Sequence, residues 1–252
     1  ITSVGTLSAL TVAGNLSVNG GTIKLDGNYP TGSFNVALGD IALQSGSLSG
    51  GSNTAIGRGS LYNNTSGANN TGIGRGSLDA NTTASNNTAV GMNAMFANTT
   101  GTQNVAVGAI SLDANTTGDN NTALGYQALT ANTTAGGNTA LGSGAMITST
   151  TASGDTAVGA FAMLRTTTGS QNTAVGLSAM ENTTTGYNNT SVGWESMKAN
   201  TEGALNVAVG QQAMLANTTG DKNVCVGHNT LAANTTADNN TAIGDNALGA
   251  NT

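Results

Sequence analysis

Glycine recurs along this chain in a single register: Gly39, Gly57, Gly74, Gly91, Gly108, Gly125, Gly142, Gly159, Gly176, Gly193, Gly210, Gly227 and Gly244, with an interval of eighteen residues first and seventeen thereafter. Each of these glycines follows an aliphatic residue and stands four positions before a Leu or Met, so the unit reads roughly N-T-A-V-G-x-x-A-M-x-x-N-T-T-G-x-x. A fixed period of this kind means a stack of equivalent units, and it overrides any domain count suggested by the length of 252 residues.

The unit is poor helix material. Helical repeats need about 33 to 47 residues for a helix pair, and seventeen residues rich in Gly, Asn and Thr cannot supply one. In Asn87-Thr88-Ala89-Val90-Gly91 the β-branched residues alternate with Ala89, which is the pattern of a strand. Ala94 and Met95 are expected on a second short strand, and Asn98-Thr99-Thr100-Gly101-Thr102-Gln103 is turn chemistry. The expected fold is all-β: a parallel β-solenoid, or β-roll, in which each strand pairs with its equivalent one coil away. At about 4.8 Å per coil, thirteen coils make a rod of roughly 60 Å.

Two segments follow from this pattern. Residues 1–34 fall outside the repeat and alternate apolar and polar residues (Leu7, Leu10, Val12, Leu16, Val18, Ile23, Leu25) as short strands joined by tight turns. Residues 35–252 form the coil array, with a truncated last unit. Opening on Ile1 and stopping within a repeat, the sequence is expected to belong to a longer polypeptide.

Thr at the first strand position gives way to Val105, Val207 and Val224, which suggests that this face is buried, with Val107 and Leu112 as interior side chains of one coil. Two or three aliphatics per coil at about 1.5 to 3 kcal/mol each barely oppose the ordering cost of the unit. The opposite strand face is restricted to small residues: Ala55, Ala89, Ala106, Ala123, Ala140, Ala157, Ala174, Ala208 and Ala242, with Gly72, Ser191 and Cys225 as exceptions. Restriction to small side chains implies close packing against something, and in a homomer that is the same face of another copy. The expectation is a homotrimer with these alanines lining its axis.

Asn opens nearly every unit, with Asp155 as the substitute, and a second Asn recurs eleven residues later. Stacked in register, these amides can form ladders, a better reading of the many N-x-T sequons than glycosylation. Threonine columns also raise an ice-binding reading, but Thr99 and Thr100 are adjacent, so a strand would point them to opposite faces.

Charged residues are 7% of the chain and its net charge is −6, with six basic residues scattered over unrelated repeat positions. That cannot form the stripe nucleic-acid binding requires, and no apolar run of about 20 residues can insert in a membrane. His228 stands alone, so one chain offers no histidine triad and no multi-histidine metal site. Cys225, at an alanine position, reads as a packed structural thiol. Asp119, Asp221 and Asp238 share one turn position and are weak calcium ligand candidates. No catalytic residue, cofactor or metal is expected. The positions after the glycine are unconstrained (Arg58, Arg75, Met92, His228, with Glu195 and Phe161 beside them), which implies exposure, and Tyr126, Tyr187 and Trp194 are candidates for receptor contact through stacking on a sugar or protein.

Asn-Thr-Ala-Val-Gly followed by Ala-Met resembles the head repeats of trimeric autotransporter adhesins of the YadA-like type over residues 35–252. The period here is about three residues longer, all in the N-T-T-G turn. The opening Ile1-Thr2-Ser3-Val4-Gly5-Thr6-Leu7 and Leu10-Thr11-Val12 are similar to strand segments of phage and marine-virus tail fibres. These resemblances imply a left-handed trimeric roll in an extracellular fibre, on a virion or on a bacterial cell. The function expected is a structural and adhesive fibre segment contacting a host-surface glycan or protein. The alternatives are the head of a bacterial surface adhesin and, from another class, an ice-binding or polysaccharide-active solenoid.

Overall fold

A computed structural model describes residues 34–45 and 48–251. The expected N-terminal strands of residues 1–34 lie, apart from Phe34, outside the described residues. Thirteen strands of three residues each, β1 (Val36–Leu38), β2 (Thr54–Ile56) and β3 (Thr71–Ile73), then one per coil to β13 (Thr241–Ile243), form one parallel sheet in sequence order. Register is strict: Thr71 pairs with Thr88, Gly72 with Ala89 and Ile73 with Val90, and each later step repeats this at seventeen residues. The chain is therefore an all-β parallel solenoid of about twelve turns, and no described residue is helical.

Each coil carries one strand, where two were expected. Ala94 and Met95 are both fully buried although adjacent in sequence, which a strand with one face to solvent cannot achieve. Met95 is instead left-handed, with φ 52°, as is its equivalent in other coils, for example Leu112 (50°) and Met163 (51°). The coil turns sharply there, and the backbone is bonded to the next coil: Met95 N–H donates to Ser111 O at 3.0 Å and Ala97 N–H to Asp113 O at 3.0 Å. Uncapped turns are thus satisfied by stacking, which meets the requirement that buried backbone groups be paired.

The glycine register has an equally direct cause. Gly125 has φ 140°, a conformation closed to L side chains, and a Cβ there would lie 2.5 Å from Gly142 O in the next coil. The glycine permits both the bend after the strand and the close approach of one coil to the next.

The core runs as a narrow thread along the rod, built from the strand's central Ala, a second Ala (Ala94, Ala128, Ala145) and the left-handed Leu or Met. This corrects the expected trimer-axis face. Ala55, Ala89, Ala106, Ala123, Ala140, Ala157, Ala174 and Ala208 are 0% exposed and Ala242 is 3% exposed within the single chain, so they face the coil's own lumen and cannot line an intermolecular axis. The physical reason is volume: a lumen already holding a Leu or Met and two Asn side chains leaves room for a small side chain only, Ala in most coils and Gly72, Ser191 or Cys225 in the others. Gly72 illustrates the fit, since a Cβ there would come 2.5 Å from Ser60 Oγ, and the vacated space holds the Ser60–Ser77 hydroxyl pair at 3.0 Å. The reading of Val107 as interior is corrected with it, because Val107 points outward and is 38% exposed while Leu112 is indeed buried. The first strand position is half-buried rather than buried, as at Thr88 and Val105.

Candidate functional surfaces

Two asparagine columns run inside the rod. In the first, Asn87 Oδ1 accepts the backbone N–H of Asn104 at 2.9 Å, and Asn87 Nδ2 donates to Gly101 O at 2.8 Å, tying the strand to the far corner of its own coil. In the second, Asn98 Nδ2 donates both to Gly101 O at 3.0 Å and to Asn81 Oδ1 at 3.1 Å in the preceding coil. Asn98 is fully buried, so the sequon Asn98-Thr99-Thr100 is tied up in this ladder. Outside them, Thr99 Oγ1 donates to Thr116 O at 3.0 Å, and this bond recurs from coil to coil.

The outward face of the sheet bears two further columns. Thr54, Thr71, Thr88, Thr122 and Thr139 form one, interrupted by valines such as Val105; Ile73, Val107, Leu124, Val175, Val192 and Val226 belong to the other and are each 36–38% exposed. A continuous apolar strip of this length on the solvent side is uncommon for a lone soluble chain. Sequence reasoning missed it because the strand pattern gives two faces and no sign of which one is inside.

The three aromatic receptor candidates are exposed, Tyr126 at 53%, Tyr187 at 50% and Trp194 at 44%, but they do not converge. Tyr126 and Trp194 occupy the same column four coils apart, about 19 Å at the strand spacing, and Tyr187 sits at a different corner of the coil. Trp194 stands one period after exposed Leu177 (48%), at the same position of the next coil. Next to it Lys198 Nζ lies 2.6 Å from Glu195 Oε1 and 3.6 Å from Glu181 Oε2. The Lys198 hydrogen bond, joined by one from Gln212, holds the Glu195 carboxyl below its usual range. Near the first coils, Gln44, Tyr62, Asn63, Thr65, Ala80 and Thr82 line an open groove of about 590 Å³.

The turn carboxylates serve the backbone. Asp119 Oδ1 accepts the N–H of Thr102 at 2.6 Å and its hydroxyl at 2.9 Å, Asp221 accepts the N–H of Ala204 at 2.7 Å, and Asp238 that of Asp221 at 2.7 Å. Among the described residues no group of three or more His, Cys, Asp or Glu side chains could hold a metal ion. His228 Nδ1 pairs with Asp245 Oδ1 at 2.8 Å on the surface. Cys225 is a buried free thiol in the alanine column, and burial pushes it up to about 12. No described helix is long and apolar enough to cross a membrane. Neither a protein-family model nor a curated protein sequence matches the chain.

Proposed function

We propose that the chain is a structural and adhesive segment of an extracellular fibre, a rigid rod that associates with two further copies of itself and presents its remaining sides to a host surface. The observation that carries this reading is the continuous outward column of Val, Ile and Leu along the sheet. Association runs through that column and the Thr column beside it, with the alanines left in each chain's own lumen. A strip roughly 60 Å long and one strand, about 10 Å, wide is on the order of 600 Å² per chain, so three such strips meeting on an axis bury about 600 Å² for each pairwise contact, and a stable trimer also has to bury surface flanking the strip.

The resemblance to trimeric adhesin heads supports the number three, and the likeness of the opening residues to tail-fibre strands favours a virion over a bacterial cell as the owner. Partners are then the chain itself and a surface glycan or protein, with no catalytic role. Sedimentation equilibrium at micromolar concentration tests the association: the expected result is a trimer for the wild type and a monomer for Val107→Lys, and a monomeric wild type would sink it. Binding to a glycan array tests the adhesive half, with loss expected in Trp194→Ala or Tyr126→Ala. No binding by the wild type would confine the segment to a shaft.

A second reading is favoured by the strand threonines. Thr54, Thr71 and Thr88 repeat at the strand spacing beside an aliphatic column, a regular flat array that differs from the adjacent Thr99 and Thr100. Such a face suits ordered water or ice when it is left uncovered. Thermal hysteresis in a monomeric preparation would favour this reading over the fibre.

A further inference from the structure

In regular coils one buried corner carbonyl takes two amide donors. Gly101 O accepts from Asn87 Nδ2 at 2.8 Å and Asn98 Nδ2 at 3.0 Å, and Gly203 O accepts from Asn189 Nδ2 at 2.8 Å and Asn200 Nδ2 at 3.0 Å. The pattern thins over three consecutive coils. Ala152 O keeps only Asn138 Nδ2, at 2.8 Å, because Ser149 stands in the second column. Gly186 O keeps only Asn172 Nδ2, at 2.9 Å, because Thr183 stands there. Between them, Gly169 O has neither amide: both columns are substituted in the same coil, by Asp155 and Thr166.

Asp155 takes over half of the asparagine role. Its Oδ1 accepts the N–H of Asn172 at 2.7 Å, and its own N–H donates to Asn138 Oδ1 at 3.0 Å. The carboxyl therefore lies as the amide does in neighbouring coils, and its Oδ2 takes the place from which Nδ2 reaches the corner carbonyl. Asp155 is 0% exposed, and Oδ2 has no hydrogen-bond partner; neither have the buried hydroxyls of Ser149, Thr166 and Thr183. An acceptor oxygen buried beside a second acceptor is repelled by it unless a proton lies between them.

We propose that Asp155 folds as the neutral acid, its Oδ2–H donating to Gly169 O in place of the missing amides, so that coil 155–171 is an acid-stabilised joint within the rod. Burial pushes the Asp155 carboxyl up to about 7, against the opposing pull of its bonds to Asn172. The other ionisable groups of this coil and the two packed against it are Arg165, Glu181 and Tyr187. Arg165 and Tyr187 are exposed and Glu181 is half-buried beside Lys198 on the outer surface, so no charge in the lumen offsets that of an ionised Asp155.

The sign follows from linkage. Below pH 3.8, the ordinary value of an aspartate, the acid is protonated whether the joint is closed or open. As pH rises from there to about 7 the open form ionises first, and its population grows by about tenfold per pH unit. Above about 7 both forms are ionised and the growth stops. The joint is tight in acid and loosest in alkali.

Hydrogen exchange of the full chain, corrected for the intrinsic pH dependence, tests this by comparing a peptide covering residues 155–171 with one covering 87–103. The expected result is an opening population in the first that climbs between pH 4 and 7 and then levels, a flat profile in the second, and a flat, better protected profile for Asp155→Asn. A flat wild-type profile, or a slope surviving in Asp155→Asn, would overturn the proposal. So would protection at pH 8 that rises in sodium, potassium or calcium chloride over choline chloride at equal ionic strength, since a cation would then bridge these oxygens. If Asp155→Asn does not fold, the infrared carbonyl band of a protonated aspartic acid in the wild type at pH 6 decides, and its absence refutes the assignment.

Discussion

Replacing Gly125 by alanine tests the stacking argument at its tightest point. The new Cβ would sit 2.5 Å from Gly142 O and 2.6 Å from Gly142 C, where a carbon beside a carbonyl oxygen normally lies about 3.3 Å away. Relief requires the two coils to part locally by about 0.8 Å, which takes N–H···O bonds of 2.8–2.9 Å past the usual limit of about 3.2 Å. The nearest such bonds are Gly142 N–H to Leu124 O at 2.8 Å and Gly144 N–H to Tyr126 O at 2.9 Å. Losing two bonds costs about 2 kcal/mol, and φ of 140° adds about 1–3 kcal/mol for a residue with a side chain. The sum, about 3–5 kcal/mol, lowers Tm by about 6–20 °C in a chain of this size. Because each coil contacts only its neighbours, the damage concentrates at one junction and the melt should split into two half-rod transitions.

Two controls separate the contributions. Gly137 has φ 74° and open space around its would-be Cβ, with Gly154 N at 4.0 Å, so Gly137→Ala costs about 1 kcal/mol. Gly244 has φ 122° and meets only Ala247 Cβ at 3.9 Å, so Gly244→Ala in the 252-residue chain reads the dihedral cost without the overlap. Thermal melts followed by far-ultraviolet circular dichroism decide. Gly125→Ala melting within about 2 °C of both controls would refute the close-approach argument.

Asn104→Ala should be costly, because it strands the Asn121 N–H that Oδ1 accepts at 2.8 Å and removes one of the two donors of Gly118 O, which keeps Asn115 Nδ2 at 3.0 Å. One buried unpaired N–H and one lost hydrogen bond cost about 2–4 kcal/mol by denaturant titration, whereas exposed Asn69→Ala, at φ 58°, should cost only about 1 kcal/mol, the left-handed preference of asparagine. Leu205, left-handed at φ 59° and 44% exposed, stands where Asn69, Asn86, Asn120, Asn188 and Asn239 occur in other coils. Leu205→Asn should therefore stabilise by about 1 kcal/mol, and an unchanged or lower Tm would count against the left-handed assignment.

The period, the parallel in-register pairing and the asparagine columns are all legible in the sequence, because each follows from repetition. A group that recurs every seventeen residues must stack on itself when each coil advances by one strand spacing. Leu112 as core, and Tyr126 and Trp194 as exposed, follow from how tightly or loosely their positions are restricted. The alternation Thr88-Ala89-Val90 is legible too, as two faces of a strand.

Which face points inward is not contained in that alternation. The usual assumption that the larger aliphatic goes inside fails at Val107 and Leu124, because the lumen is closed by a left-handed Leu or Met that sequence pattern reads as a strand residue. Once Met95 turns inward beside Ala94, the remaining width admits only a side chain about as small as that of Ala89, and Val90 is forced outward. The same crowding makes Asp155 and Thr166 consequential: each is an ordinary substitution in its own column, and only the closing of the coil brings both to the same carbonyl, Gly169 O. Sequence determined what repeats along the rod; the tertiary structure decided what lies across it, because the cross-section is set by turn geometry and volume, to which a one-dimensional period is blind.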